Sequence, residues 1–419
     1  MFDSPAPDEY KPLSDVVAPV NAKVTLGKDP GKPYVGLENI PSRGSKLLSW
    51  EKAESSISTN SVFTAGDILF GKLRPNLRKC VAAQFDGYCS TDVLVLRAKD
   101  GIAPDFAVRV LQSETIGAAA ERSAIGTKMP RTAWEHLSDA VVFCPDVTEQ
   151  RKIAGVLDSL DVAIQKTEAI VEKLKQLKKG LMRDLLTRGV DANGELRPSQ
   201  EVAPELYRES PLGWIPQQWK FGPFGSLCSS SAFGPRFPSD AYDENGPLAT
   251  LRTTDMDDEG DISLATMPRA AINPSTFSEH LLQRGDLVIS RSGTCGVTGV
   301  FSGHEIPVVP GAFLIRFRLT DLRTNQFFRR YFNSSLGRPR LEKLSEGGVQ
   351  KNIKGSDVLG LVVPILPADE AELIADRVLA VEKSIELNAI QLHKLRQSKT
   401  GLMDDLLTGR VRVTPLLAN

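Results

Sequence analysis

The sequence predicts an α+β fold in which one unit, a mixed domain followed by a long helix, is used twice. The main observation is an internal repeat, since GLMRDLLT at 180–187 recurs as GLMDDLLT at 401–408. GDIL at 66–69 likewise resembles GDLV at 285–288. With 419 residues, 41% of them hydrophobic, the chain can form two or three domain cores. These observations predict an internal pseudo-twofold repeat.

The two long helices are expected at 149–189 and 368–409. Apolar residues in both follow a seven-residue repeat, which is typical of a coiled coil rather than of an ordinary amphipathic surface helix. Each helix would be roughly 55 Å long at 1.5 Å per residue. We expect the two helices to form an antiparallel coiled coil. Its predicted seam consists of Ile153, Leu157, Leu160, Ile164, Thr167, Val171, Leu174, Leu181 and Leu185 in the first helix, and of Ile374, Val378, Val381, Ile385, Asn388, Leu392, Leu395, Leu402 and Leu406 in the second.

Polar residues interrupt the seam at equivalent places. Thr167 and Lys178 in the first helix align, at the offset set by the GLMRDLLT repeat, with Asn388 and Lys399 in the second. A polar residue in a seam weakens the core but fixes the register of the helices. We therefore expect antiparallel packing to bring Thr167 close to Asn388. The alternative is two separate helices, each covering its own domain.

The two mixed domains are expected to contain irregular, mixed or largely antiparallel sheets, because short β-like runs alternate with turn residues. The predicted strands lie at 93–96 and 141–143 in the first domain and at 286–289, 313–317 and 361–365 in the second, with helical stretches at 105–111 and 327–336. The predicted boundaries are 1–148 for the first mixed domain, 190–213 for a polar surface linker, 214–367 for the second mixed domain and 410–419 for a C-terminal tail.

Composition excludes several classes of protein. A net charge of -1 argues against a histone-like protein or a polybasic membrane binder, and 25% charged residues without low-complexity tracts argue against disorder. The five cysteines form no CxxC motif, so we expect reduced thiols rather than a disulfide lattice or a zinc site. The N-terminus has acidic and proline residues where a signal peptide would be basic and then apolar, which predicts a cytoplasmic protein.

The sequence offers no convincing catalytic site. GDILFGKL at 66–73 begins like a phosphate-binding loop, but Leu73 occupies the position of the magnesium-binding hydroxyl and Pro75 would interrupt the helix that should follow. Motifs such as HExxH and GxSxG are missing. Asp67 and Asp286 are expected to be turn residues rather than metal ligands. We therefore predict a non-catalytic chain that holds no metal or cofactor.

Charge is distributed unevenly along the chain. Residues 316–354 carry ten Lys and Arg against three acidic residues, whereas 240–261 carries eight acidic residues against one Arg. In the first mixed domain, basic residues follow the GDIL segment and flank a loop containing Gly126. Such runs are commonly solvated faces, but clustered Arg and Lys also bind DNA phosphates, and Arg can recognise guanine.

The helical run EQRKIAGVLDSLDVAIQKTEAIVEKLKQLKKGLMRDLLTRGV (149–190), its C-terminal copy and GDILFGKLRP (66–75) resemble the specificity subunit of type I restriction-modification enzymes. The resemblance spans essentially the whole chain. One departure is that the second helix opens with ADEAELIADRV (368–378) and does not repeat the Glu149-Gln150-Arg151 start.

The resemblance implies that each mixed domain is a target-recognition domain that binds one half of a bipartite double-stranded DNA target. The paired helices would set the spacing of the half-sites and dock two methyltransferase (modification) subunits. Those partners would hold S-adenosylmethionine and methylate adenine. Restriction subunits would translocate and cut DNA with ATP and magnesium.

With this resemblance, specific basic residues become candidates for DNA binding. They are Lys72, Arg74, Arg78, Lys79, Lys128 and Arg131 in the first mixed domain and Arg291, Lys351 and Lys354 in the second. The alternative function is a coiled-coil scaffold that joins two protein partners without touching DNA.

Overall fold

The computed structural model describes residues 6–25, 31–53, 59–345 and 352–416. The chain divides into two compact units, the first comprising Met1–Ile170 and Asn388–Asn419 and the second Val171–Leu387. Each unit therefore contains one mixed domain together with part of each long helix. This division cuts through both helices, whereas the boundaries predicted from sequence treat the helices as separate segments.

In the first unit, short strands and helices surround the start of a long helix. The strands are β1 (Tyr10–Pro12), β2 (Val17–Pro19), β3 (Lys23–Thr25), β4 (Pro33–Val35), β5 (Glu51–Lys52), β6 (Thr59–Phe63), β7 (Ile68–Gly71), β8 (Cys80–Ala82), β9 (Gly87–Cys89), β10 (Val93–Ala98) and β11 (Val141–Phe143), and the helices are α1 (Leu13–Val16), α2 (Pro104–Gln112), α3 (Glu114–Arg122) and the first long helix, α4 (Val147–Arg188). The strands form an antiparallel sheet in the order β2-β10-β7-β8, a mixed sheet in the order β3-β6-β9-β4-β5 and the pair β1-β11.

The second unit repeats part of this plan. Its strands are β12 (Tyr207–Ser210), β13 (Gly213–Pro216), β14 (Lys220–Pro223), β15 (Cys228–Phe233), β16 (Leu248–Leu251), β17 (Arg269–Ala270), β18 (Leu287–Ser290), β19 (Thr298–Val300), β20 (Val308–Pro310), β21 (Leu314–Leu319) and β22 (Val362–Ile365), and its helices are α5 (Asn325–Asn333), α6 (Arg338–Lys343), α7 (Gly355–Gly360) and the second long helix, α8 (Ala368–Leu407), which continues into the first unit. The sheet β15-β21-β18-β19 matches β2-β10-β7-β8, and the pair β14-β22 matches β1-β11. The predicted strand and helix segments all overlap observed elements.

The central strand β7 shows why these sheets are buried on both faces. Side chains alternate between the two faces of a strand, and Ile68 and Phe70 enter the core shared with the helices while Leu69 enters a second core against the other sheet. In the second unit, Leu287 and Ile289 of β18 face the helical core and Val288 faces the other one. A strand buried on both faces reads as a continuous apolar run, as GDILF and GDLVI do.

The predicted seam residues lie on the covered sides of both long helices. Every predicted seam residue is buried or half-buried. In the first unit, Lys399 of α8 donates to Asp161 of α4 at 2.5 Å, and in the second unit Lys178 of α4 lies 3.2 Å from Glu382 of α8. A second contact in each unit, Arg396 with Glu168 and the Val190 amide with Glu370, lies later in the first helix region but earlier in α8, so each unit packs its parts of α4 and α8 antiparallel.

The predicted approach of Thr167 to Asn388 does not match this register. Arg396 binds Glu168 at 2.7 Å, so Thr167 lies level with α8 residues near 396. Asn388 lies eight residues before Arg396 in α8, a distance of roughly 12 Å at the rise of an α-helix. Thr167 instead donates its hydroxyl to the Ala163 carbonyl, one turn back in its own helix.

Each unit contains one ionic cluster that attaches its mixed domain to the paired helices, and the two clusters are equivalent. In each, an arginine from the domain and a lysine from one long helix bind a carboxylate of the other long helix. The first triad is Arg109, Asp161 and Lys399, and the second triad is Arg330, Glu382 and Lys178. The two triads occupy equivalent positions of the internal repeat, and Lys178 and Lys399 are the lysines that interrupt the heptads.

The predicted surface linker is more structured than expected. Residues 190–213 include β12, and Arg197 is buried where it donates to Glu370 of α8 at 2.5 and 3.2 Å. Glu370 also accepts hydrogen bonds from the Val190 amide and the Trp219 indole. The segment is therefore anchored to the start of α8.

In the part of the chain that the structure describes, no helix is both long enough and apolar enough to cross a membrane.

Candidate nucleic-acid interface

Asp67 and Asp286 shape the turn that precedes the basic residues, as the sequence predicts. Asp67 accepts hydrogen bonds from the Thr64 amide and hydroxyl and binds Arg97 at 2.6 and 2.8 Å. Asp286 makes the same contacts with the Gln283 amide and Arg318. Burial alone would raise the pKa of the Asp67 carboxyl, but the bonds from Arg97 and Thr64 outweigh it and lower that pKa.

No group of three or more His, Cys, Asp or Glu side chains within the described ranges could hold a metal ion. All five cysteines lie in the described ranges and form no disulfide there, and burial raises the pKa of the Cys80 and Cys89 thiols to about 12. Nothing in these groups suggests a reactive thiol.

The basic turn after β7 exposes Arg74. Its backbone adopts the left-handed region, with φ of 51°, and its amide donates to the Pro130 carbonyl at 2.7 Å. This backbone contact fixes the turn against the loop at 125–131. The Arg74 side chain is exposed and has no bonded partner among the residues that the structure describes, so it is available to a ligand.

Arg78 and Lys79 are predicted to bind DNA, but the structure directs both into the domain. Arg78 binds Glu114 at 2.7 Å and Glu121 at 2.8 Å, and only 9% of its side chain is exposed. Its guanidinium lies directly over Gly117, where a β-carbon would be 1.1 Å from Nη1. Lys79 donates to two backbone carbonyls at 2.7 and 2.8 Å. These two cations are committed to internal contacts.

Lys128 and Arg131 lie on the loop at 125–131. Lys128 is exposed and has no bonded partner in the described ranges. Arg131 binds Asp92 through Nε at 2.8 Å, and 45% of its side chain remains exposed. Lys72 is half-buried at the base of the same surface. The structure therefore brings Lys72, Arg74, Lys128 and Arg131 together, with Asp92 as a carboxylate that the sequence prediction missed.

The second mixed domain presents a related surface. Arg291 donates to Asn352 Oδ1 at 2.9 Å, and its guanidinium lies 4.8 Å from the centroid of the Phe233 ring. Lys354 is exposed. Lys351, the remaining predicted residue, lies outside the described residues. Phe233 and Asn352 were not predicted, although alignment of the two repeats would have drawn attention to position 352.

The basic run at 316–354 is not a free cationic face. Most of its arginines bind acidic groups or carbonyls of the same unit, and one of them, Arg329, binds the acidic stretch at 240–261. The pairs are Arg318 with Asp286, Arg323 with Asp321, Arg329 with Asp261, Arg330 with Glu382, Arg338 with Glu342 and Arg340 with the Val362 carbonyl. The excess of positive charge seen in sequence is therefore largely neutralised in the fold.

The similarity to known proteins covers nearly the whole chain. No protein-family profile matches it. The chain is 25% identical to the putative type I restriction enzyme MjaX specificity subunit of Methanocaldococcus jannaschii, covering 97% of this chain and 94% of that protein. It is 22% identical to the type I restriction enzyme MjaVIII specificity subunit of the same organism, covering 92% and 87%.

A solved structure shares the fold. The S subunit of a type I restriction-modification system from M. genitalium superposes with a TM-score of 0.58 at 14% identity, covering 97% of this chain and 96% of that one. The relatives and the shared fold confirm the resemblance predicted from the helical repeats and do not favour a scaffold that avoids DNA. This chain is therefore similar to type I restriction enzyme specificity subunits along nearly its entire length.

Proposed function

We propose that this chain is the DNA-recognition subunit of a type I restriction-modification complex, in which each mixed domain binds one half of a bipartite target. The observation that carries the proposal is the repeated surface. The same strand, turn and loop recur in both domains, and each copy exposes basic side chains. In the first domain these are Arg74 and Lys128, and in the second Lys354. Exposed cations on turns and loops are suited to contact DNA phosphates.

The long helices would set the spacing of the half-sites and dock two modification subunits. Apolar side chains outside the seam support this role, since exposed apolar residues on a long helix are suited to protein contacts. Ile170 and Ile390 are each 47% exposed in the first unit, and Leu177 and Leu387 are 55% and 67% exposed in the second. The partner subunits would carry S-adenosylmethionine, ATP and magnesium, and the chain itself would perform no chemistry.

Binding to a duplex library at several salt concentrations tests the proposal. The full-length chain, together with its modification subunits, should select one bipartite sequence, and its affinity should fall as salt rises. Each phosphate contact contributes about 0.9 to the slope of log affinity against log salt. Replacing Arg74 and Lys128 with Gln should therefore reduce that slope by about 1.8.

A matched control uses two cations elsewhere in the first unit. Lys99 and Arg151 are exposed, and Lys99 follows the opposite end of β10 from the basic surface. Their replacement with Gln removes the same charge and should leave the slope unchanged. Absence of any sequence preference in the wild-type complex would refute the proposed function, and equal effects of the two double variants would refute the assigned surface.

A further inference from the structure

Three backbone positions in the first mixed domain form a fixed framework at the basic surface. The Lys72 amide donates to the Asp92 carbonyl at 2.8 Å, and the Thr132 amide donates to the Lys72 carbonyl at 3.1 Å. Leu73 and Arg131 form an isolated β-bridge. These backbone contacts bring Lys72, Asp92 and Arg131 next to one another although they are far apart in sequence.

The second mixed domain contains the equivalent backbone hydrogen bonds and β-bridge. The Arg291 amide donates to the Phe313 carbonyl, and the Ile353 amide donates to the Arg291 carbonyl, both at 2.9 Å. Ser292 and Asn352 form the equivalent bridge. Positions 291, 313 and 352 thus correspond to positions 72, 92 and 131. We call these two sets the first triplet (Lys72, Asp92, Arg131) and the second triplet (Arg291, Phe313, Asn352).

The side chains of the triplets differ although their backbone contacts are the same. Arg131 is paired with the Asp92 carboxylate, whereas the aligned Asn352 accepts a hydrogen bond from Arg291. Phe313, which aligns with Asp92, is 53% exposed. By contrast, the internal Asp67–Arg97 pair recurs unchanged as Asp286–Arg318. Two domains that read different half-sites need different side chains held by the same backbone framework.

Each triplet also holds an arginine in a defined orientation, exposed in the first triplet and half-buried in the second. Arg131 is fixed by Asp92 at 2.8 and 3.3 Å, and Nη1 donates to the Met129 carbonyl. Arg291 is fixed by Asn352 and by the ring of Phe233. Arginine recognises guanine through O6 and N7, asparagine recognises adenine through N6 and N7, and phenylalanine can contact the thymine methyl group. An oriented guanidinium loses less freedom when it binds a base edge.

We propose that the two triplets are the base-reading positions of the two mixed domains. Arg131, oriented by Asp92, reads a guanine in one half-site. Arg291 and Asn352 read a guanine and an adenine in the other half-site, with Phe313 beside them. This inference rests on the proposed function, and it assigns base recognition to these positions while Arg74, Lys128 and Lys354 contact phosphates.

Selection of bound duplexes from a library randomised in both half-sites tests the assignment in the full-length chain with its modification subunits. Arg131→Lys keeps the charge but cannot form the planar bidentate contact. It should reduce preference for guanine at one base pair of one half-site by roughly 10- to 100-fold, with the other half-site and the salt slope unchanged. Asp92→Asn should weaken the same preference, because Arg131 loses its orienting carboxylate.

The second triplet gives the reciprocal test. Asn352→Ala should relax the preference for adenine in the half-site that Arg131→Lys leaves intact. Arg74→Gln serves as a control that should lower affinity for all sequences alike. If the wild-type complex selects a bipartite sequence but Arg131→Lys and Asn352→Ala leave every base preference unchanged, the triplet assignment is refuted while the proposed function stands. If the wild-type complex selects no sequence, the proposed function itself fails.

Discussion

Replacing Arg412 with methionine tests how the C-terminal tail is held in the first unit. Arg412 donates to Glu149 at 2.9 and 2.6 Å and to Glu9 at 3.0 and 2.8 Å. The Glu149 side chain is fully buried at 0% exposure, and Arg412 is 13% exposed. Removing one partner of a buried ion pair costs about 3–5 kcal/mol, because the other charge stays buried without compensation. We expect about 3 kcal/mol, since the Val413 amide still donates to Glu149.

Hydrogen exchange of the full-length chain provides a local measurement of this loss. About 3 kcal/mol corresponds to a roughly 100-fold larger opening equilibrium, so amides at the start of α4 should exchange about 100-fold faster. Arg410→Met is a matched control, because Arg410 binds Asp404 and Asp405 but is 62% exposed. Exposed pairs contribute little, so exchange should not change measurably. Similar effects of the two substitutions, or no effect of Arg412→Met, would refute the reasoning.

Three further predictions concern buried charges and thiols. Lys399→Met leaves Asp161 paired with Arg109 alone and should lower the free energy of unfolding by about 1–2 kcal/mol, measured as a lower thermal midpoint. Because burial raises the pKa of Cys80 to about 12, roughly one thiol in 10,000 is ionised at pH 8, and Ellman's reagent should react quickly only after unfolding. The bonds from Arg97 lower the pKa of Asp67 below its ordinary value of 3.8 despite burial, so this carboxylate stabilises the fold above that pH and the contribution is lost on further acidification. The Asp67→Asn variant should therefore lose less stability than the wild type between pH 5 and pH 2.5, and an equal loss would contradict the assignment.

The long helices were predictable because a heptad repeat is a local pattern that extends over many turns. Ile153 and Leu157 satisfy it in α4, and both are fully buried. The strands predicted at 93–96 and 286–289 were also recognisable, since each contains a short apolar run that ends at a turn. The mixed sheet β3-β6-β9-β4-β5 left no such signal, because its strands are only two to five residues long.

The candidate site was predictable only in part, because sequence shows where charge lies but not what neutralises it. Arg78 and Arg74 look alike in RPNLR, yet Arg78 meets Glu114 from a helix 36 residues away and Arg74 remains exposed. Arg329 similarly meets Asp261 across 68 residues. Only tertiary structure brings such partners together, so a basic run in sequence overstates the positive charge available to DNA.

The second long helix starts with a different sequence from the first, but one position makes the same contacts in both. Although ADEAELIADRV does not repeat the Glu149-Gln150-Arg151 start, Glu370 aligns with Glu149 at the offset of the internal repeat. Each carboxylate accepts hydrogen bonds from an arginine and a backbone amide of the segment that follows the other long helix, Arg412 with Val413 for Glu149 and Arg197 with Val190 for Glu370. The repeat therefore preserves the contact that fixes each helix start, although the surrounding motif has changed.

Comparison of the two repeats also explains why lysines interrupt the heptads. A seam of apolar residues alone would tolerate a shift of one helix by a heptad, because leucine can replace leucine in each contact. Lys178 and Lys399 each bind a carboxylate of the other long helix, and that carboxylate also binds an arginine of the mixed domain in the same unit. A shift would therefore separate three buried or half-buried charges at once, which costs more than a displaced apolar contact. The polar breaks thus fix the helix register and the attachment of each mixed domain through one interaction, and the proposed spacing of two half-sites requires both to be fixed.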